Sequence, residues 1–92
     1  MKFEMRQREF LNPEQKILIA LSDSQGMSVR EIIERTKLGS KTVVDAVNYL
    51  VEIGLVKEEQ QQEFPRKKII RLTDKGKEIS EYLKKIYGIL NS

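Results

Sequence analysis

The run Ser28-Val29-Arg30-Glu31-Ile32-Ile33-Glu34-Arg35-Thr36-Lys37-Leu38-Gly39-Ser40-Lys41-Thr42-Val43-Val44-Asp45-Ala46-Val47-Asn48-Tyr49-Leu50-Val51-Glu52-Ile53-Gly54-Leu55-Val56 reads as two helices with almost no chain between them. Ser28 and Glu31 are three residues apart, the spacing at which each side chain satisfies the other's free backbone N–H at a helix start. Met27 before this box and Ile32 within the helix are placed to pack across that start. Val29, Ile32 and Ile33 recur at helical spacing, so a short helix ends near Thr36. Leu38-Gly39-Ser40 is then a turn of about three or four residues, with Ser40 as the cap of the next helix. That helix is predicted from about Lys41 to Ile53, with Val43, Ala46, Val47 and Leu50 as its apolar stripe and Gly54 as its stop.

Working outward, Asn12-Pro13-Glu14-Gln15 is an earlier helix start, with Asn12 as N-cap, Pro13 at the first helical position and Gln15 able to reach back. Ile17, Leu18 and Leu21 continue it, and Gly26 is its expected stop, giving a helix over roughly residues 13–25. After Gly54 the period changes from helical to extended. Leu55–Glu59 and the β-branched run Lys67–Leu72 are two candidate strands, joined by the polar, proline-broken tip at residues 60–66. Thr73 caps a last helix whose apolar stripe, Ile79, Tyr82, Leu83, Ile86, Tyr87, Ile89 and Leu90, runs to the end of the chain. Asp74 sits favourably at its positive end. With no linker or repeat, residues 1–92 read as one domain, mainly α with a small β-hairpin, in the order α-α-α-β-β-α.

Composition narrows the chemistry. The chain has 17 Lys and Arg against 14 Asp and Glu, a net charge of +3 that is compatible with nucleic acid without requiring it. It has neither Cys nor His. Disulfides, thiolate nucleophiles and thiolate zinc sites are therefore excluded, and the commonest general acid/base and metal ligand is missing too. A chain of 92 residues also has little room for a deep pocket. The expectation is a binding module, not an enzyme, with no cofactor and no metal. No apolar run approaches the ~18 residues needed to cross a bilayer, and Met1-Lys2-Phe3-Glu4-Met5-Arg6 lacks a signal-peptide core. A cytoplasmic protein with no membrane partner is expected.

Helix, helix, short turn, helix and hairpin is the order of a winged helix-turn-helix. The run from Ser40-Lys41-Thr42-Val43 through Leu50 to Gly54-Leu55-Val56, followed by Leu72-Thr73-Asp74-Lys75-Gly76, resembles winged-helix transcriptional regulators of the MarR type. In such proteins a glycine-leucine-valine step leads from the recognition helix into the wing, and leucine-threonine-x-x-glycine opens the final helix. The resemblance covers roughly residues 13–80 and is nearest to small archaeal or archaeal-virus regulators. The Lys-, Glu- and Ile-rich, Cys-free composition also resembles thermophile usage. The resemblance implies a sequence-specific regulator of double-stranded DNA, a repressor by steric occlusion. Its recognition helix, about residues 41–53, would lie in the major groove, and its wing, about 60–68, on the minor groove or backbone.

With Val43, Val47 and Leu50 inward at about 100° per residue, Lys41, Asp45, Asn48 and Glu52 turn outward, with Thr42 and Tyr49 on one flank. Lys41 suits guanine or phosphate, Thr42 a thymine methyl or phosphate, and Asn48 adenine, with Ser40 at the helix start. The same residues also read as the solvated face of a core helix. Asp45 and Glu52 should repel phosphate, although Asp45 can accept a hydrogen bond from cytosine N4. On the wing, Arg66 and Lys67 are the main phosphate or minor-groove candidates, with Lys68 splayed at the strand's start. Charges and proline protecting an exposed sheet edge are the competing explanation. Arg30 can meet a phosphate or simply face water.

The apolar stripe continues past residue 80, where the winged-helix core should be complete. Phe3, Phe10, Tyr82, Ile86, Tyr87, Ile89 and Leu90 make residues 1–12 and 80–92 the expected dimerisation extensions of a two-fold homodimer with half-sites about one DNA turn apart. Alternatively Phe3 and Phe10 cover the last helix within the same chain. The acidic recognition face and the surplus Val44 and Val51 support a second reading, a winged helix used as a protein-interaction module. No residue pattern identifies a small-molecule effector.

Overall fold

Asn12 and Ser28 open the first two helices by the same reciprocal device. In the computed structural model, which describes residues 10–92, α1 spans Pro13–Ser22 and α2 spans Val29–Thr36. The Gln15 N–H donates to Asn12 Oδ1 at 2.8 Å while the Asn12 N–H donates to Gln15 Oε1 at 3.1 Å. The Ser28 N–H donates to Glu31 Oε1 at 2.8 Å and the Glu31 N–H to Ser28 Oγ at 3.2 Å. Both boxes are where the sequence predicts them.

The end of α1 is not. The helix stops at Ser22, three residues short of the expected end, because two serine hydroxyls take carbonyls of its last turn. Ser22 Oγ donates to the Ile19 carbonyl at 2.6 Å and Ser24 Oγ to the Leu21 carbonyl at 3.2 Å. Gly26 is therefore no helix stop. At φ 141° it takes a conformation that L side chains rarely adopt, and a Cβ there would press on Ile69. This bend delivers Met27 to the hairpin, where Met27 and Ile70 exchange two backbone hydrogen bonds of 3.0 and 2.8 Å.

α3 spans Ser40–Glu52, and its N-cap is Gly39, which has no side chain to cap it. Ser40 is the first helical residue rather than the cap. The reversal after α2 is made by Lys37, in the left-handed conformation at φ 63° with its N–H on the Ile33 carbonyl. That leaves the third helix free to start one residue early. Beyond α3, Leu55 is a joint, not a strand residue: its N–H donates to the Leu50 carbonyl at 2.9 Å and its carbonyl accepts from Thr73 N–H at 3.0 Å. Strands β1 (Val56–Gln60) and β2 (Lys68–Leu72) each begin one residue later than expected. They pair antiparallel from Val56↔Leu72 at the root to Gln60↔Lys68 at the tip.

The final helix, α4, spans Asp74–Leu90 and is capped by Thr73. The Thr73 hydroxyl accepts from Gly76 N–H at 3.1 Å and donates to the Gly54 carbonyl at 2.7 Å. Gly76 is buried there, so close to the chain leaving α3 that a Cβ would overlap the Leu55 carbonyl oxygen. The core is one cluster in which Ile17, Leu21, Ile32, Val43, Val47, Leu50 and Ile70 are the largest fully buried apolar side chains. α4 packs on α1, where buried Ser80 donates to the Leu18 carbonyl at 3.3 Å. The core reaches Leu83, one turn beyond its predicted limit. Mainly α with a small hairpin, in the order α-α-α-β-β-α, is the architecture observed among the described residues. Among them no helix is long and apolar enough to cross a membrane.

Candidate nucleic-acid interface

Burial of Val43, Ala46, Val47 and Leu50 fixes the rotation of α3. Ser40, Lys41, Thr42, Asp45, Asn48, Tyr49 and Glu52 are all exposed, on the opposite side and its flank. Lys41 and Asp45 are not independent of one another. Lys41 Nζ lies 3.1 Å from Asp45 Oδ2, one turn along the same face, with side-chain exposures of 88% and 63%. The acid thus holds the lysine head against the helix. The other flank is apolar: Val44 is 43% exposed and Val51 39%.

The start of α3 has no side-chain cap. Gly39, Ser40, Lys41 and Thr42 are all exposed there, and free N–H groups at the positive end of a helix suit an anion. Arg30 is exposed in the first turn of α2. Beside it, Glu31 is held below its ordinary pKa first by the hydrogen bond from the Ser28 N–H, against the opposing effect of burial, with the Ser28 side chain and then the Lys67 charge contributing further.

On the hairpin the cations divide into two groups. Arg71 lies 2.6 Å from Glu59 and also donates to the Gln25 carbonyl, so it braces the turn after α1 against the sheet. Its hydrogen bond is the main reason Glu59 is held below the ordinary carboxylate range. Lys68 Nζ lies 3.9 Å from Glu58 across the strands, so the splayed lysine has an acid beside it. Arg66 and Lys67 are exposed and have no ion-pair partner within the described residues. The tip is held in shape by backbone and amide bonds. Gln60 Nε2 donates to the Arg66 carbonyl at 2.8 Å, Gln61 N–H to the Lys67 carbonyl at 2.9 Å, and Lys67 N–H to the Pro65 carbonyl at 2.9 Å. At its apex stands Phe64, 92% exposed, a residue that sequence reasoning passed over. An aromatic beside proline in a polar hairpin tip was the available signal.

The dimerisation candidates are spread differently. Tyr82, Ile86, Tyr87, Ile89 and Leu90 are all exposed on α4, beyond or beside its last buried residue, Leu83. Phe10 is 75% exposed. Phe3 lies outside the described residues.

Residues 17–90 match the ArnR1-like, winged-helix domain family. No curated protein sequence matches the chain. Among solved structures, F-93 of SSV1 superposes with a TM-score of 0.80 at 27% identity, over 91% of this chain and 94% of F-93. The PcaV transcriptional regulator from Streptomyces coelicolor, in complex with its natural ligand, gives 0.76 at 27% identity, over 91% of this chain and 60% of PcaV. The MarR family transcriptional regulator SPO1453 from Silicibacter pomeroyi gives 0.72 at 23% identity, over 84% of this chain and 54% of that one, a likeness of fold. The chain thus spans nearly all of F-93 and little more than half of the two bacterial regulators. The resemblance to MarR-type and archaeal-virus winged-helix regulators read from the sequence is borne out.

Proposed function

Because the chain belongs to the ArnR1-like winged-helix domain family, we propose that it regulates transcription by binding double-stranded DNA in a sequence-specific manner as a homodimer, repressing by occlusion. In this reading α3 enters the major groove and the wing follows the minor groove or backbone. One observation carries it. The uncapped start of α3, with Lys41, Thr42 and Asn48 exposed along its outer face, accompanies a wing whose Arg66 and Lys67 are in no ion pair among the described residues. A solvated core helix needs no unpaired cations on the neighbouring hairpin.

The charges assign different tasks to the two elements. On α3 the outward charges are Lys41, Asp45 and Glu52, so this helix adds little attraction to phosphate and serves chiefly to read bases. Arg66 and Lys67 supply the sequence-independent attraction, with Arg30 and the first-turn N–H groups of α3 as further phosphate contacts. The exposed last turns of α4, from Ile86 to Leu90, are the proposed seam of the dimer. The molecule acts by binding, and no catalytic step is proposed for it.

Selection from a pool of random duplexes, followed by anisotropy titration at several salt concentrations, tests this directly. Arg66→Ala with Lys67→Ala should weaken all duplexes alike and flatten the log–log salt slope by about 2, close to 0.9 per lost phosphate contact. Asn48→Ala should instead cost about 1–3 kcal/mol of discrimination at one base position. Absence of binding to any duplex at low salt overturns the reading. A second reading, a protein-interaction module, is favoured by the exposure of Val44 and Val51 on one flank of α3. Under it, Val44→Asp abolishes capture of a protein partner, and no duplex is enriched.

A further inference from the structure

Phe64 is the most exposed of the large apolar residues described, at 92%. Its position is set by the hairpin. From the Val56↔Leu72 root, where Val56 is buried, the paired strands run outward to Gln60↔Lys68, where both residues are exposed. Four residue steps carry the tip about 13 Å from the core. The closing bonds of Gln60, Gln61 and Lys67 then hold residues 61–67 as a compact turn with Phe64 at its apex. Pro65 restricts the backbone immediately after it. The ring touches none of the core and stands among Gln61, Gln62 and Glu63, all exposed.

We propose that Phe64 is a wedge, inserted from the minor groove between two base pairs and bending the duplex. This rests on the DNA-binding reading above and deepens it by assigning a residue and a deformation. Two features favour a base step over a protein surface as the occupant. Protein interfaces are built from contiguous apolar area, and Phe64 has no apolar neighbour at the tip apart from Pro65. A wedge, by contrast, needs one projecting ring flanked by cations that hold the backbone. Arg66 and Lys67, two and three residues along and in no ion pair among the described residues, are those cations. Glu63 is the only acid among residues 61–67, outnumbered by these two, and its repulsion from phosphate opposes insertion.

The test uses the full chain and a duplex of about 30 base pairs taken from the random-pool selection, room for two half-sites. The duplex carries a donor and an acceptor dye at its ends. Wild-type protein should shorten the end-to-end distance, reporting a bend within the 20–90° range of wedge-type binders. Phe64→Ala should abolish most of that change and weaken binding about tenfold, the net of ring burial and base unstacking. The salt slope should stay unaltered because no charge is removed. Glu63→Gln should strengthen binding. Thermal midpoints of wild type and Phe64→Ala should coincide, since the ring supports nothing in the fold. A Phe64→Ala protein that binds and bends as wild type does overturns the wedge while leaving the DNA-binding reading intact. A lowered midpoint also overturns it, by showing that the ring packs within the chain. Failure of the wild type to bind any duplex overturns both.

Discussion

Asp45→Asn should make this protein bind DNA more tightly and with a steeper salt dependence. In the structure Asp45 holds Lys41 at 3.1 Å, on the outer face of α3. The substitution removes a negative charge from the surface proposed to face phosphate and releases the lysine. A unit charge about 7 Å from a phosphate contributes about 0.6 kcal/mol in water, so relief of repulsion alone is worth about threefold in affinity. A freed Lys41 that reaches a phosphate adds one released counterion, steepening the log–log salt slope by about 0.9. Between 50 and 200 mM salt the advantage of the variant should therefore shrink by about 3.5-fold. The fold should barely register the change. Exposed pairs of this spacing contribute about 0.2–0.5 kcal/mol, and lysine preceding the acid is the weaker orientation. Anisotropy titrations of wild type and variant on one selected duplex, at four or more salt concentrations, give both numbers. An unchanged slope with unchanged affinity would show that α3 does not approach phosphate. Weakened binding confined to duplexes with a particular cytosine would show that Asp45 reads a base, in which case charge relief is the wrong account.

The remaining expectations concern the scaffold and the assembly. Gly76→Ala gains about 1 kcal/mol of helix propensity but forces a Cβ onto the Leu55 carbonyl; overpacking against backbone should prevail, with a net loss of about 2 kcal/mol and a thermal midpoint lower by about 8–16 °C. Glu31 and Glu59 are both held below the ordinary 4.5, so the folded state binds fewer protons than the unfolded chain near that pH. The stability they contribute is present above pH 4.5 and is lost as pH falls through their depressed values. Glu31→Gln keeps the reciprocal cap while removing one titration, so urea midpoints should fall less between pH 6 and 3 than in wild type. Wild-type chain at micromolar concentration should sediment at twice 10.8 kDa, and Ile86→Glu at 10.8 kDa; a monomeric wild type refutes the α4 seam.

Features written in short-range chemistry were legible before the structure was. Both reciprocal caps, the Gly54 stop, the Thr73 cap and the inward stripe of α3 each depend on residues three or four apart. Their reading needs no tertiary information. What escaped depends on competition or on distance. Whether α1 ends at Ser22 or near Gly26 is decided by serine hydroxyls that either take a carbonyl or leave it free. Ser40 reads equally well as cap or first residue until Lys37 is known to turn left-handed. Among the wing cations, Arg71 is withdrawn from the surface by Glu59 and by the Gln25 carbonyl, 46 residues away, which no local pattern reveals. The candidate site was legible as a set of exposed residues, because exposure follows from helical phase. The pairing of Lys41 with Asp45 was open to the same phase argument, which puts both on one face one turn apart.

The Thr73 hydroxyl joins the exit of α3 at Gly54 to the entrance of α4 at Gly76. The chain leaves this point, builds the whole hairpin and returns to it, so the wing is topologically an excursion whose two ends are stapled together. Lengthening, shortening or replacing residues 61–67 should therefore leave the angle between α3 and α4 unchanged. In the proposed dimer that angle sets the separation of half-sites, and the wing sets the hold on the backbone between them. Operator spacing and backbone grip can accordingly diverge independently among relatives that keep this threonine.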